Sequence, residues 1–238
     1  MNTVFHPASQ RGQAHHGWLK SMHSFSFADF FDPEKTGFGQ LRVLNDDQVE
    51  PGKGFDPHPH RDMEIISIPL AGSLAHKDSE GHSSVIQSGD VQIMSAGHGI
   101  LHSEYNASAS EPVHFLQIWI HTRTKGIPPR YDQKSYQKHL QDNQWQVIVS
   151  PSGGETAVKI EQDAYLSVVK MSAESAIRYQ TYNAKHGVYF FILDGEVTIE
   201  GKNLGIGDAL GVWDMASINL NSQNSSQVLA IEVPMGAA

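Results

Sequence analysis

Residues 189–200 read YFFILDGEVTIE, and the fold class turns on them. An apolar run from Tyr189 to Leu193 meets Asp194-Gly195, a dipeptide that supplies the positive φ angles of a type I′ hairpin turn. Beyond it Val197 and Ile199 alternate with Glu196, Thr198 and Glu200, the period of a half-buried strand. Gly207-Asp208-Ala209 then opens another apolar run. The same order occurs earlier in the chain: Ile65 to Leu70, Ala71-Gly72, a second run, and Gly89-Asp90-Val91. One β unit written twice implies two similar barrels in tandem.

Outward from these units the texture is the same. Gly39 to Leu44, Glu64 to Leu70, Val85 to Gln87, Val91 to Ser95 and Val113 to Thr122 read as strands. So do Gln146 to Ser150, Ala164 to Met171, Val188 to Leu193, Ala209 to Trp213 and Gln227 to Val233. They are short, rich in Val, Ile and aromatics, and separated by turn residues, the pattern of an all-β protein. Gly126 to Asn143 is polar and contains Pro128-Pro129, which marks a linker, with a short helix expected around Asp132 to Leu140. The expected division is an N-terminal barrel over 1–130, a linker over 131–143 and a C-terminal barrel over 144–238. Gly205, Gly207 and Gly211 lack the spacing and the following helix of a dinucleotide-binding turn.

Composition removes several function classes. With 238 residues, 39 % hydrophobic and 18 % charged, the chain is long and apolar enough to bury a core, so disorder is excluded. The 17 basic against 26 acidic residues give a net charge of -9, which opposes nucleic-acid contact and adhesion to anionic membranes. Cysteine is absent, so no disulfide, thiolate zinc site, iron–sulfur cluster or cysteine nucleophile is available. Met1 to Gln13 has no apolar core of a signal peptide, and no apolar run approaches a membrane span, so a cytoplasmic location is expected. The 14 histidines are out of proportion, and the chemistry is sought among them.

Asp56-Pro57-His58-Pro59-His60 is the sharpest feature. Each proline holds its predecessor extended, and side chains at i and i+2 of an extended chain share a face, so His58 and His60 present imidazoles together. A second pair with that spacing, His102 and Glu104, follows the Gly97-His98-Gly99 turn. Two such pairs on facing strands converge three neutral imidazoles and one carboxylate on one ion, a set that suits Fe, Zn, Cu, Ni or Mn. His98 is a candidate for the pocket mouth. His15, His16 and His23 lie in a polar segment and are read as surface residues first and as the edge of a pocket second; Phe25, Phe27, Phe30 and Phe38 are read as core first and as pocket lining second.

These residues carry a family resemblance. Gly52, His58-x-His60, Glu64 and Gly72 are similar to the first cupin motif, and Gly89 through Gly97 to His102 resembles the second. More narrowly, His16-Gly17-Trp18, Ser24-Phe25-Ser26-Phe27-Ala28-Asp29, His58-Pro59-His60-Arg61 and Ala96 through Glu104 resemble the pirin family of bicupins. The resemblance implies two tandem cupin (jelly-roll) barrels and a single metal in the first. It also implies quercetin 2,3-dioxygenase activity, as in some members, or regulation through a protein partner, as in others. Pirins take their carboxylate from the acid after the last histidine, which implies Glu104. Glu64 occupies the carboxylate position of many cupins and on a regular strand shares the His58/His60 face, so it stands as the alternative ligand or as an acceptor for a ligand imidazole. Gly72 comes one residue late for the motif.

Registering Gly195 on Gly72 places Thr181 and Asn183 where His58 and His60 lie, and registering Gly207 on Gly89 places Leu220 and Ser222 opposite His102 and Glu104. The second barrel is therefore expected to lack a metal, and His186 to be a lone structural or surface residue. An open site of this charge favours a deprotonated enol or flavonol beside O2, with one Fe(II) per chain as the expected metal and Glu104 as the candidate general base. A non-enzymatic regulator predicts instead an occluded metal and a large exposed apolar patch.

Overall fold

The computed structural model describes residues 1–236. Its strands in the first half are β1 (Asn2–His6), β2 (Gly12–His15), β3 (Leu19–His23), β4 (Leu41–Val49), β5 (Gly54–His60), β6 (Met63–Ala71), β7 (Ser73–Asp78), β8 (Ser83–Gln87), β9 (Asp90–Ser95), β10 (Ile100–Asn106), β11 (Val113–His121) and β12 (Arg130–Ser135). In the second half they are β13 (Gln146–Ser150), β14 (Val158–Lys159), β15 (Tyr165–Met171), β16 (Ser175–Gln180), β17 (His186–Asp194), β18 (Val197–Ile199), β19 (Lys202–Leu204), β20 (Ala209–Trp213), β21 (Ser217–Ser222) and β22 (Ser226–Pro234).

Each half folds as a seven-stranded sheet facing a four-stranded one. The first barrel pairs β12-β9-β6-β11-β4-β3-β2 with β5-β10-β7-β8, and the second pairs β1-β20-β17-β22-β15-β13-β14 with β16-β21-β18-β19. The all-β tandem architecture expected from the repeated unit is present. The central strands β6 (MEIISIPLA) and β17 (HGVYFFILD) are buried over most of their length and largely apolar because both faces are covered. One face lines the inside of its own barrel and the other meets the neighbouring barrel. Ile66, Ile68, Leu116 and Ile118 thus share one core with Leu166, Tyr189, Phe191 and Ile231.

Two stretches depart from the expected division. The chain start, β1, pairs antiparallel with β20, so residues 2–6 extend the second sheet although they precede the first barrel. Inside the expected linker, β12 pairs with β9 and closes the edge of the first sheet, and the expected helix is only a 3₁₀ turn at Gln137–His139. Arg130, Asp132 and Lys134 give β12 the charged composition of an edge strand, which in sequence looks the same as a polar connection. Among the described residues, no helix is long and apolar enough to cross a membrane.

Candidate metal centre

The four-stranded sheet of the first barrel carries the histidines. On β5, His58 and His60 project from one face, and β10 sets His102 directly opposite His58. The ring centroids of His58 and His102 lie 4.4 Å apart, and His60 lies 4.9 Å from each. One ring nitrogen from each of the three falls within 4.8 Å of the others. His60 Nε2 and both ring nitrogens of His102 are buried without a hydrogen-bond partner. Burial, reinforced by the neighbouring imidazoles, pulls His60 down to about 4 and His102 to about 3, so both rings are neutral at pH 7 with lone pairs free. Buried nitrogens without partners are costly, and a divalent ion between them would satisfy them. The residues present fit such an ion.

Glu104 adjoins this trio through His102. Its carboxylate groups with His102 and His76 rather than with His58 and His60. Ser67 Oγ donates to Glu104 Oε1 at 3.0 Å and Gln117 Nε2 donates to Oε2 at 2.7 Å, so two hydrogen bonds anchor the side chain. His76, on β7 opposite Glu104, was missed by sequence reasoning. The signal was available, because His76 and Asp78 repeat the i,i+2 spacing of the other pairs. His76 Nε2 bonds Asp78 Oδ2 at 3.1 Å, and His82 reaches the same carboxylate at 3.0 Å. Burial pushes the Asp78 carboxyl up, but the hydrogen bonds from His76 and His82 outweigh it and hold it below the usual range.

Glu64 turns away. The chain is not one strand from His58 to Glu64: β5 ends at His60, and Asp62 takes a φ of 50° before β6 begins. That break reverses the facing expected from a regular strand. Glu64 points to the interface between barrels, where Ser95 Oγ donates to it at 2.7 Å and the Glu161 N–H at 3.2 Å. Burial pushes its carboxyl up against these two donors. His98 is exposed on its turn and lies outside the cavity lining.

A cavity of about 530 Å³ leads to the cluster, with His58 and Glu104 in its wall. That volume lies inside the roughly 300–1,000 Å³ range of small-molecule sites. Trp18, Leu19, Phe27, Phe55 and Trp119 make it apolar, and the exposed His16 and Ala28 mark where it meets solvent. His16 and His23, expected at the surface, both line it, and His23 is buried; Phe27 lines it while Phe25 and Phe38 pack between barrels. The polar N-terminal segment looked like surface because β2 and β3 form one wall of the cavity, a contact that local sequence does not carry.

Two family models match the chain, one described as pirin over residues 4–120 and one as the quercetinase C-terminal cupin domain over residues 147–233. An Escherichia coli (strain K12) protein named quercetin 2,3-dioxygenase is 41 % identical over 227 residues, spanning 95 % of this chain and 96 % of its own. The chain belongs to the pirin family. The crystal structure of YhhW from E. coli, at 38 % identity, matches this pirin with a TM-score of 0.93 over 100 % of both chains. A structure of bacterial pirin YhhW in complex with nickel(II), at 39 % identity, matches with a TM-score of 0.91 over 98 % of this chain and 99 % of that one.

The second barrel of this pirin has the same ladders without the ligand groups. With Leu220 and Ser222 of β21 standing for His102 and Glu104, the partner strand β16 brings Ile177 to the place of His58. On the other side β18 brings Ile199 and Val197 to the places of Asp78 and His76. Thr181 and Asn183 do not occupy ligand positions as the glycine register implied. The connection from β16 to β17 spans residues 181–185 where that from β5 to β6 spans only 61–62, and both residues fall in it. His186 is structural: its ring is buried between Glu232 at 2.9 Å and Asp163 at 3.3 Å.

Proposed function

We propose that this pirin is a mononuclear metal-dependent dioxygenase that opens a flavonol such as quercetin with O2, and that His58, His60, His102 and Glu104 hold one divalent ion, Fe(II) in the working enzyme. The carrying observation is an apolar cavity with His58 and Glu104 in its wall, behind which His60 and His102 hold buried ring nitrogens without partners. The nickel(II) of the E. coli pirin makes Ni(II) the first alternative metal to test, ahead of Zn, Cu or Mn. When bound, the ion would lower the pKa of a coordinated enol and bring it beside O2.

The protein's own part follows from its residues. Ser67 and Gln117 hold the Glu104 carboxylate in place, so it meets a substrate hydroxyl already oriented and accepts its proton. Trp18, Phe27, Phe55 and Trp119 take up a flat aromatic body and keep water off the reacting oxygen. Residues 144–238 act as a metal-free support. A regulator without enzymatic activity would need a broad apolar docking face; among the described residues the large exposed apolar side chains, Met1, Phe31, Val85, Leu101, Tyr182 and Ile206, are instead spread over both halves of the chain.

The test is protein purified without oxygen, analysed for metal, reconstituted with Fe(II) and given quercetin in a closed oxygen cell. Oxygen consumption with carbon monoxide in the headspace is expected. Metal-loaded protein that consumes no oxygen with a panel of flavonols would return the case to the regulator.

A further inference from the structure

Across the seven-stranded sheet of the first barrel runs a polar row. Gln92, Ser67, Gln117, Asn45 and His23 are successive cross-strand partners on β9, β6, β11, β4 and β3, and all five are buried. Asp47 lies two residues past Asn45 on the same face, opposite Ser21. In the middle of the row Ser67 and Gln117 are committed to Glu104. At the β3–β4 end Ser21 bonds the Asp47 carboxyl, yet one acceptor oxygen on each of Asn45 and Asp47 stays uncommitted. Asn45 and Asp47 are 3 % and 4 % exposed, both line the cavity, and the Oδ1 atom of each has no hydrogen-bond partner.

Such acceptors are costly in an apolar wall, the carboxyl above all. Burial, with help from Asp46 and Glu104, pushes the Asp47 carboxyl up to about 7 against the pull of Ser21 and Arg11. The fold does not ask for the carboxyl. On the corresponding ladder of the second barrel, where Phe190 stands for Ser67 and Ala230 for Gln117, the counterpart of Asp47 is Val169, while that of Asn45 is Ser167, itself buried with its Oγ unpartnered. Two residues of the cavity lining thus each hold a buried acceptor without a partner, which a donor from a ligand would satisfy. The lining names its kind, because an aromatic body fits the Trp and Phe walls and a hydroxyl can donate to both acceptors.

We propose that Asn45 and Asp47 form a second recognition point, accepting hydrogen bonds from a ring hydroxyl of the substrate other than the one that meets Glu104 and the histidines. The inference rests on the flavonol reading and narrows it to flavonols hydroxylated beyond their enol. A site built to accept from a hydroxyl discriminates against the analogue lacking it, because the buried acceptors are then left unpaired.

Trp18 and Trp119 line the cavity and report occupancy by fluorescence quenching, independently of turnover. Metal-loaded protein is titrated with quercetin and with 3-hydroxyflavone, which has the enol but no other hydroxyl. Wild type is expected to bind quercetin at least about tenfold more tightly, the scale of one hydrogen bond to a charged or buried acceptor. Asp47→Ala and Asn45→Ala should each bring that ratio toward one by weakening quercetin, and Asp47→Asn, which keeps the shape and an acceptor oxygen, should retain part of it. Equal binding of the two compounds by wild type, or equal weakening of both by Asp47→Ala, overturns the inference. So does an Asp47→Asn protein that melts below wild type and keeps the full preference, since Asp47 would then be structural. Selective binding without oxygen consumption removes the dioxygenase reading and leaves the recognition point standing; no quenching by any flavonol overturns both.

Discussion

Where the first barrel has Ser67 between Gln92 and Gln117, the second has Phe190 between Leu210 and Ala230. The exchange continues around the interior. Val188, Ile192, Val197, Ile199, Leu210, Val212 and Leu220 fill the second barrel as a single apolar cluster. In the first, the inward apolar residues split into two small groups, around Leu74 and Phe115 and around Ile65 and Met94. The cavity, the imidazoles and the polar row occupy the space between. One ladder scaffold therefore supports either a packed interior or a site. What differs is which inward positions hold side chains long and apolar enough to meet in the middle. The polar interior is tolerable because the outer face of its sheet joins the second barrel in the shared core.

The largest effect expected is on that joint. A chain ending at Gln144 keeps every candidate ligand yet exposes Ile66, Ile68, Leu116 and Ile118, so it should aggregate or fail to melt cooperatively. A soluble half that melts like the intact chain would show that the second barrel supports nothing. Next in size, His102→Ala removes the imidazole common to both ligand groups. Metal content should fall from one per chain to near zero, with activity losses beyond the roughly 10–100-fold typical of an outer partner. Two metals per intact chain would erase the contrast between the barrels. Within the same assay Glu104→Ala should weaken metal binding, whereas Glu64→Ala should lower the melting temperature with metal retained, because its partners Ser95 and Glu161 belong to the barrel interface.

The matched pair Phe190→Ala and Ser67→Ala sharpens the comparison in calorimetry. Emptying Phe190 should cost about 3–5 kcal/mol, as for large core aromatics. Ser67→Ala should cost about 1 kcal/mol, while loosening Glu104 and raising the metal dissociation constant. Similar costs would mean the two interiors are packed alike.

The remaining effects are in pH. His60 and His102 are held neutral with folded pKa values of about 4 and 3 against 6.5 unfolded. Their contribution is complete above pH 6.5 and is lost as pH falls toward 4 and 3, so the metal-free protein should melt lower in acid. Asp47 runs the other way. Its folded value of about 7 lies above the unfolded 3.8, so its contribution is complete below pH 4 and lost as pH rises through 7. The melting temperature of Asp47→Asn relative to wild type should therefore climb between pH 5 and pH 8, by roughly 2–4 °C per kcal/mol recovered. A difference independent of pH would show that Asp47 is not a buried acid.

The repeated hairpin-and-Gly-Asp unit, the strands with period two, and the pairing of His58 with His60 were legible because each depends only on neighbours along one strand. Parity failed where a strand ended unannounced. The positive φ at Asp62 separates Glu64 from His58, and nothing in His60-Arg61-Asp62-Met63 marks it. The His76–Asp78 pair carried the right spacing and is followed by the Gly81 turn, a signal passed over because the stretch reads only as the second run of the repeat. The start of the chain adding to β20, the expected linker supplying β12, and His16, His23, Asn45 and Asp47 meeting in one cavity wall are all pairings between distant segments. Local alternation determines which side chains share a face of a strand. Which strands then lie side by side, and what their shared face encloses, is decided by the burial of whole sheets against each other, and only the tertiary structure holds that information.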